Sequence, residues 1–311
     1  MGTAFLFPGQ GAQFVGMGKS LYDRFDSVKE LFRKANDALG FDLAKITFEG
    51  PMEELTKTNV CQPAIFTVSV AVLSALREIV GLEKFEPAAT AGLSLGEYSA
   101  LVFAGVIPFE DAVQIVERRG AFMQEACDAN PSTMASIIGL DADACENIVR
   151  ELTADGGELL VANYNEPKQH VFSGDIPLVE KACEKAKEAG AKRAIKLKVA
   201  GAYHSAYMTP AREKLAPFIG AVTFKAPEIP FFSNVTGSRE DDPEAIKQNL
   251  ISQVDSPVRW AQTLTGMREM GITDYLELGP GKSIAGMLKR TVKDSNTSSL
   301  CELADIEAMK E

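Results

Sequence analysis

Between Pro63 and Leu76 the chain carries no charged residue, and most of what it carries is apolar. The stretch is shorter than the roughly 20 residues that a bilayer span needs, and Thr67, Ser69 and Ser74 interrupt it. The expectation is therefore a helix buried inside a folded protein, opened by Pro63 and closed by Gly81. A helix with no polar face must be covered on every side, by a sheet and by other helices. That requirement places the chain in the α/β class. At 311 residues it suggests about two domains of roughly 150 residues. Hydrophobic residues make up 46% and charged residues 24%, a globular balance that excludes intrinsic disorder.

The pattern before residue 130 and after residue 200 alternates strands with helices. Thr3–Phe7 is an apolar strand running into Pro8-Gly9-Gln10-Gly11. A helix over 21–39 is expected from the stripe Leu21, Phe25, Val28, Phe32, Ala35 and Leu39. Ala88–Ala91 is a short strand, and Phe109–Asn130 an amphipathic helix. From Thr133 the order becomes β-α-β-β-α-β, which is the ferredoxin-like unit. Strand, helix, helix, strand and helix then follow from Ile229 to Val292. The simplest architecture is a parallel-sheet domain made of 1–127 and 200–311, interrupted by a small domain at 128–199.

The net charge of −11 argues against nucleic acid or an anionic membrane as a partner, since both demand clustered cations. The first residues lack the basic flank and cleavage site of a signal peptide. Five cysteines, at 61, 127, 145, 183 and 301, are odd in number and form no Cys-x-x-Cys pair. They read as thiols in a reducing, cytoplasmic setting and not as a disulfide frame or a zinc site.

Gly92-Leu93-Ser94-Leu95-Gly96 fits the pattern of a nucleophile elbow. A sharp turn from strand to helix crowds its flanking positions, so both must be glycine, and it lifts the serine hydroxyl into the open. The alternative is a serine capping a helix between two glycines. A serine nucleophile needs a base, and the chain has two histidines. His170 falls inside a strand of the small domain and reads as an ordinary strand residue. His204 lies in the loop Gly201-Ala202-Tyr203-His204-Ser205, just past a strand, where α/β sites collect. Asp241, Asp242 and Asp255 could each orient it, and spacing selects none of them.

In the helix Phe109–Asn130, Arg118 belongs to a mostly polar stripe and is expected to face solvent. Arg119 emerges among Ala112, Ile115, Phe122 and Ala126. A buried guanidinium must find an anion, either a protein carboxylate or the carboxylate of a substrate. Gly279-Pro280-Gly281-Lys282-Ser283 looks like the end of a phosphate loop, but Leu276 stands where the first glycine should be. Nothing in the sequence calls for a metal or a nucleotide cofactor.

Taken together, Phe7-Pro8-Gly9-Gln10-Gly11-Ala12-Gln13, Gly92-Leu93-Ser94-Leu95-Gly96-Glu97, Arg119-Gly120-Ala121-Phe122, Asn163-Tyr164-Asn165, His204, Ser256-Pro257-Val258-Arg259-Trp260 and Glu277-Leu278-Gly279-Pro280-Gly281-Lys282 resemble the malonyl-CoA:acyl-carrier-protein transacylases of type II fatty acid synthesis. The resemblance spans nearly the whole chain. It implies an α/β-hydrolase-like domain with a ferredoxin-like insertion, and a ping-pong transfer of malonyl from malonyl-CoA to acyl carrier protein. It implies Ser94 as nucleophile, His204 as base, and the Gln253 main-chain carbonyl as the group orienting that base. The backbone N–H groups of Gln10 and Leu95 would form the oxyanion hole, and Arg119 would hold the malonyl carboxylate. No cofactor is implied; the coenzyme A thioester is a substrate. One position departs from the family, which usually has histidine before the nucleophile where this chain has Leu93.

Other readings are a serine esterase or thioesterase, a stand-alone acyltransferase of a polyketide pathway, and a non-catalytic subunit that docks carrier proteins. Carrier proteins are typically acidic, so docking on this anionic chain needs a local basic patch. Residues 185–198 hold six cations against Glu188, and residues 282–293 hold four cations and no acid. Lys192, Arg193, Lys289 and Arg290 are the expected docking residues. The alternative is that these are solvated helix ends, where lysine favours the dipole.

Overall fold

The computed structural model describes residues 2–310 and contains two sheets. Ten strands run in chain order: β1 (Thr3–Phe7), β2 (Pro87–Gly92), β3 (Thr133–Ile138), β4 (Leu159–Glu166), β5 (Gln169–Gly174), β6 (Arg193–Lys196), β7 (Phe231–Phe232), β8 (Arg239–Glu240), β9 (Asp274–Leu278) and β10 (Asn296–Leu300). The larger sheet has the order β10-β9-β1-β2-β7-β8, parallel except for β8. Central β1 is buried along its whole length, as a strand covered on both faces must be. The smaller sheet, β4-β5-β3-β6, is antiparallel throughout. Helices Ala142–Leu152 and Ile176–Glu188 pack on one of its faces through Cys145, Ile148, Val179 and Ala182. This is the expected β-α-β-β-α-β unit, with its first strand paired to its third and fourth.

The apolar helix is longer than the sequence reading gives. It begins at Thr58 and ends at Ile79, so Pro63 lies within it and does not open it. A proline there gives up one backbone hydrogen bond, which the burial of almost every neighbouring side chain outweighs. By length and composition this 22-residue helix could cross a membrane; 89% of its most apolar window is buried inside the fold. It packs against the helices Asp26–Leu39, Gly96–Phe103 and Phe109–Ala129 and reaches β9.

The segment 21–39 is two helices, Lys19–Arg24 and Asp26–Leu39, because Phe25 is extended at φ −118°. Its ring stays in the core, so the apolar stripe continues across the break. The last strand of this unit ends at Lys196, and the chain then runs toward His204. The strand that opens at Ile229 in the sequence reading is short, with only Phe231 and Phe232 pairing as β7. Arg118 is partly exposed, its guanidinium lying 4.2 Å from the ring centre of exposed Phe218.

The two sheets are joined near the site. Val258 and β4 exchange backbone hydrogen bonds, Tyr164 N to Val258 O at 2.9 Å and Val258 N to Ala162 O at 2.8 Å. The Arg290 guanidinium grips buried Glu166 of β4 through two bonds of 2.6 and 2.7 Å.

Candidate active site

Ser94 occupies the turn between β2 and the helix Gly96–Phe103, in the left-handed region at φ 52°. The flanking glycines are obligatory there. A Cβ on Gly92 would sit 1.8 Å from the Gly96 carbonyl carbon, and one on Gly96 would sit 2.1 Å from the Phe7 oxygen. Asn234 braces the turn from below, accepting from Ser94 N–H at 2.6 Å and donating to the Gly92 carbonyl at 2.7 Å.

The Ser94 hydroxyl lies 2.8 Å from His204 Nε2. On the far side of the ring, Nδ1 is 2.9 Å from the Gln253 main-chain oxygen. A carbonyl can only accept, so Nδ1 carries the proton and Nε2 is left free to take the proton of serine. Burial, with the Arg119 charge adding to it, pushes the His204 pKa down to about 4. The imidazole is therefore neutral near pH 7, as a base must be. The three candidate aspartates are engaged elsewhere. Asp241 pairs with Arg239, Asp242 caps the helix Pro243–Ser252, and Asp255 holds Thr209 and Arg212. His170 is a buried β5 residue at the edge of the Tyr164 ring.

Arg119 is 1% exposed. One terminal nitrogen donates to Gln62 Oε1 at 2.8 Å; the other donates to Gln253 Oε1 and to Ser94 Oγ, both at 3.0 Å. Among the described residues none of its hydrogen-bond partners is a carboxylate, and its Nε has no partner at all. The protein thus holds a buried cation against the serine hydroxyl without neutralising it.

Ser94, Arg119 and His204 line one cavity of about 520 Å³, together with Gln10, Tyr203 and Leu93. Among the described residues, neither the Gln10 nor the Leu95 backbone N–H is bonded to a protein acceptor. Leu95 sits at the N-terminus of the helix Gly96–Phe103, whose dipole favours a developing anion. Tyr203 is a buried wall whose hydroxyl lies 3.4 Å from Thr58 Oγ1. Leu93 places an apolar side chain beside the serine.

The expected docking residues lie outside the lining of this cavity. Lys192, Arg193 and Lys289 are exposed, and Arg290 is tied to Glu166. The lysines that do line the cavity are Lys198, past the end of β6, and Lys282, before the helix Ser283–Thr291. Sequence reasoning counted them within the basic segments without singling them out. It also passed over Gln62, Asn234 and Glu97. Two of these left a trace, since Gln62 and Glu97 are isolated polar residues at the starts of apolar helices.

A hydroxyl at a strained elbow, a neutral imidazole aimed at it and free backbone donors beside it define a serine-dependent acyl-transfer site. The comparisons with known proteins point to acyl transfer as well. The family model for the acyl transferase domain matches residues 4–307. A malonyl CoA-acyl carrier protein transacylase of Bacillus subtilis strain 168 is 44% identical over 98% of this chain and 95% of its own length. One from Escherichia coli K12 is 44% identical over 99% of this chain and 98% of its own. The crystal structure of an acyl carrier protein S-malonyltransferase from Vibrio cholerae superposes with a TM-score of 0.95, at 42% identity and full coverage of both chains. A malonyl-transacylase solved with its type II PKS acyl-carrier protein gives a TM-score of 0.92 at 39% identity, over 99% of this chain and 98% of that one. The chain belongs to the acyl transferase family, in its malonyl CoA-acyl carrier protein transacylase branch.

Proposed function

We propose that this chain is a cytoplasmic enzyme that moves malonyl from malonyl-CoA to the phosphopantetheine thiol of acyl carrier protein, supplying fatty acid chain elongation. In the first half-reaction Ser94 Oγ attacks the thioester carbonyl while His204 Nε2 takes its proton. The tetrahedral oxyanion rests on the Gln10 and Leu95 N–H groups. Its collapse breaks the carbon–sulfur bond, and His204 returns the proton to the departing coenzyme A thiolate. The second half-reaction reverses these events, with the carrier thiol as attacker. The coenzyme A thioester is a substrate, and the chemistry needs no bound cofactor.

The observation that carries this reading is Arg119, buried beside the nucleophile with no carboxylate of its own. A malonyl carboxylate supplies the missing anion through a bidentate pair. An esterase for neutral acyl groups would have no use for such a cation, whose burial costs several kcal/mol when unpaired, on the order of 3. Residues 128–199 form a small domain in this reading, set into 1–127 and 200–311, with Met134 and Val171 of its sheet covering the acyl group.

The test is to incubate the protein with malonyl-CoA, with and without carrier protein, and to follow both intact masses. A malonyl adduct on Ser94 that moves to the carrier supports the proposal. Release of free malonate without any carrier would make the protein a thioesterase.

A further inference from the structure

The structure assigns a role to Glu97 that the chemistry above does not use. We propose that its carboxylate is a positioning group for malonyl selection, fixing the direction of the Gln253 carboxamide and thereby the place of the Arg119 guanidinium beside Ser94. The proposal rests on the reading of Arg119 as the holder of the malonyl carboxylate.

Glu97 is the second residue of the helix Gly96–Phe103 and is 1% exposed. One of its oxygens accepts from Asn234 N–H at 3.2 Å, and the other from Gln253 Nε2 at 2.5 Å. Gln253 Nε2 also donates to the Ser94 carbonyl at 2.8 Å, and Gln253 Oε1 accepts from Arg119 at 3.0 Å. The amide therefore has one workable direction. Reversed, it would set its oxygen against two acceptors and its NH₂ against a guanidinium. Each unmade bond in so buried a place is expensive.

The arrangement also explains how a buried cation is kept open. A carboxylate touching Arg119 would close an ion pair and occupy the face that the substrate needs. Here the Glu97 carboxyl stands one carboxamide away. It orients the Gln253 dipole toward Arg119 and leaves the guanidinium bonded only to neutral groups, the Ser94 hydroxyl among them, with Nε unpartnered. Burial raises the Glu97 pKa to about 7, against donors from Gln253 and Asn234 and the Arg119 charge.

Three variants decide the matter: Glu97→Gln, Gln253→Leu and Arg119→Ala. Gln253→Leu removes the amide and keeps the main-chain carbonyl that holds His204. The rate of Ser94 acylation would be measured for each with malonyl-CoA and with acetyl-CoA, which share the thioester chemistry. A merely structural role would slow both alike. Glu97→Gln and Gln253→Leu are each expected to lower the malonyl-to-acetyl ratio by about tenfold, and adding Glu97→Gln to Arg119→Ala should leave the ratio where Arg119→Ala put it. If Arg119→Ala shifts the ratio and the other two do not, the role of Glu97 is refuted. If Arg119→Ala does not shift it, the underlying reading of Arg119 fails instead. Should Glu97→Gln not fold, Glu97→Asp, which keeps the acid but draws it back from Gln253, decides by the same ratio.

Discussion

Ser94 and His204 meet at 2.8 Å, and both are held in the left-handed backbone region, at φ 52° and φ 58°. Only two other non-glycine residues among those described, Glu86 and Asp294, share that conformation. Each such residue costs on the order of 1–3 kcal/mol, so the fold concentrates strain at the proposed reacting pair. Replacing the proposed nucleophile should then separate function from stability. Ser94→Ala and Ser94→Gly are both expected to form no acyl-enzyme. Glycine, free of the Cβ penalty, should make the protein about 1 kcal/mol more stable than alanine does. Thermal melting of the two variants checks this, and coincident curves would mean that the turn is unstrained.

The elbow glycines make a stricter demand. A methyl group on Gly92 would fall 1.8 Å from a backbone carbon of Gly96, and backbone in a strand-to-helix turn cannot move aside. Gly92→Ala is expected to cost about 3 kcal/mol or more, or to prevent folding. Denaturant unfolding measures it. A cost under about 1 kcal/mol would show that the turn relaxes.

Much of this site was legible because its parts are local. The elbow announces itself in five residues, His204 by the scarcity of histidines, and Arg119 by its place on an apolar stripe. What stayed hidden is what chain folding alone brings together. The partner of His204 is a main-chain carbonyl, which every residue possesses, so no side chain could mark Gln253 without the family resemblance. The partners of Arg119 are neutral amides from 57 and 134 residues away, whereas sequence reasoning looked for a carboxylate. In the fold, Phe25 kept its place on the apolar stripe while breaking its helix, a change that periodicity does not register. Strand β10, Asn296–Leu300, was overlooked because only Leu300 in it is buried.

The low pKa of His204 has a kinetic consequence. A base works when neutral, so a pKa of about 4 carries activity further into acid than the ordinary 6.5 would allow. Acetyl-CoA isolates the effect, because its acyl group has no carboxylate to meet Arg119. With it, Ser94 acylation should stay nearly flat from about pH 8 to pH 5. In Arg119→Ala the acid limb should rise, since the arginine charge helps to hold the pKa down. It should still lie below 6.5, because burial is the larger cause. A limb at 6.5 in both proteins would contradict the buried, charge-opposed histidine.

The basic residues expected to dock the carrier need to be separated by what they touch. Arg290 holds Glu166, whose side chain is 6% exposed, so reversing it would set two carboxylates against each other. Arg290→Glu is therefore expected to lower the melting temperature whether or not Arg290 meets a carrier. Lys192, Arg193 and Lys289 are exposed, and reversing them to glutamate should leave melting within about 2 °C of the parent. If these three residues steer an acidic carrier, the triple variant should raise the KM for carrier protein by about tenfold at low salt. That effect should fade as ionic strength shortens the screening length below about 8–10 Å. Acylation of Ser94 by malonyl-CoA is the internal control and should change far less, because none of the three lines the cavity. A triple variant that uses carrier protein normally at low salt would remove these residues from the docking surface. Lys198 and Lys282, at the cavity itself, would then be the cations left to meet the carrier.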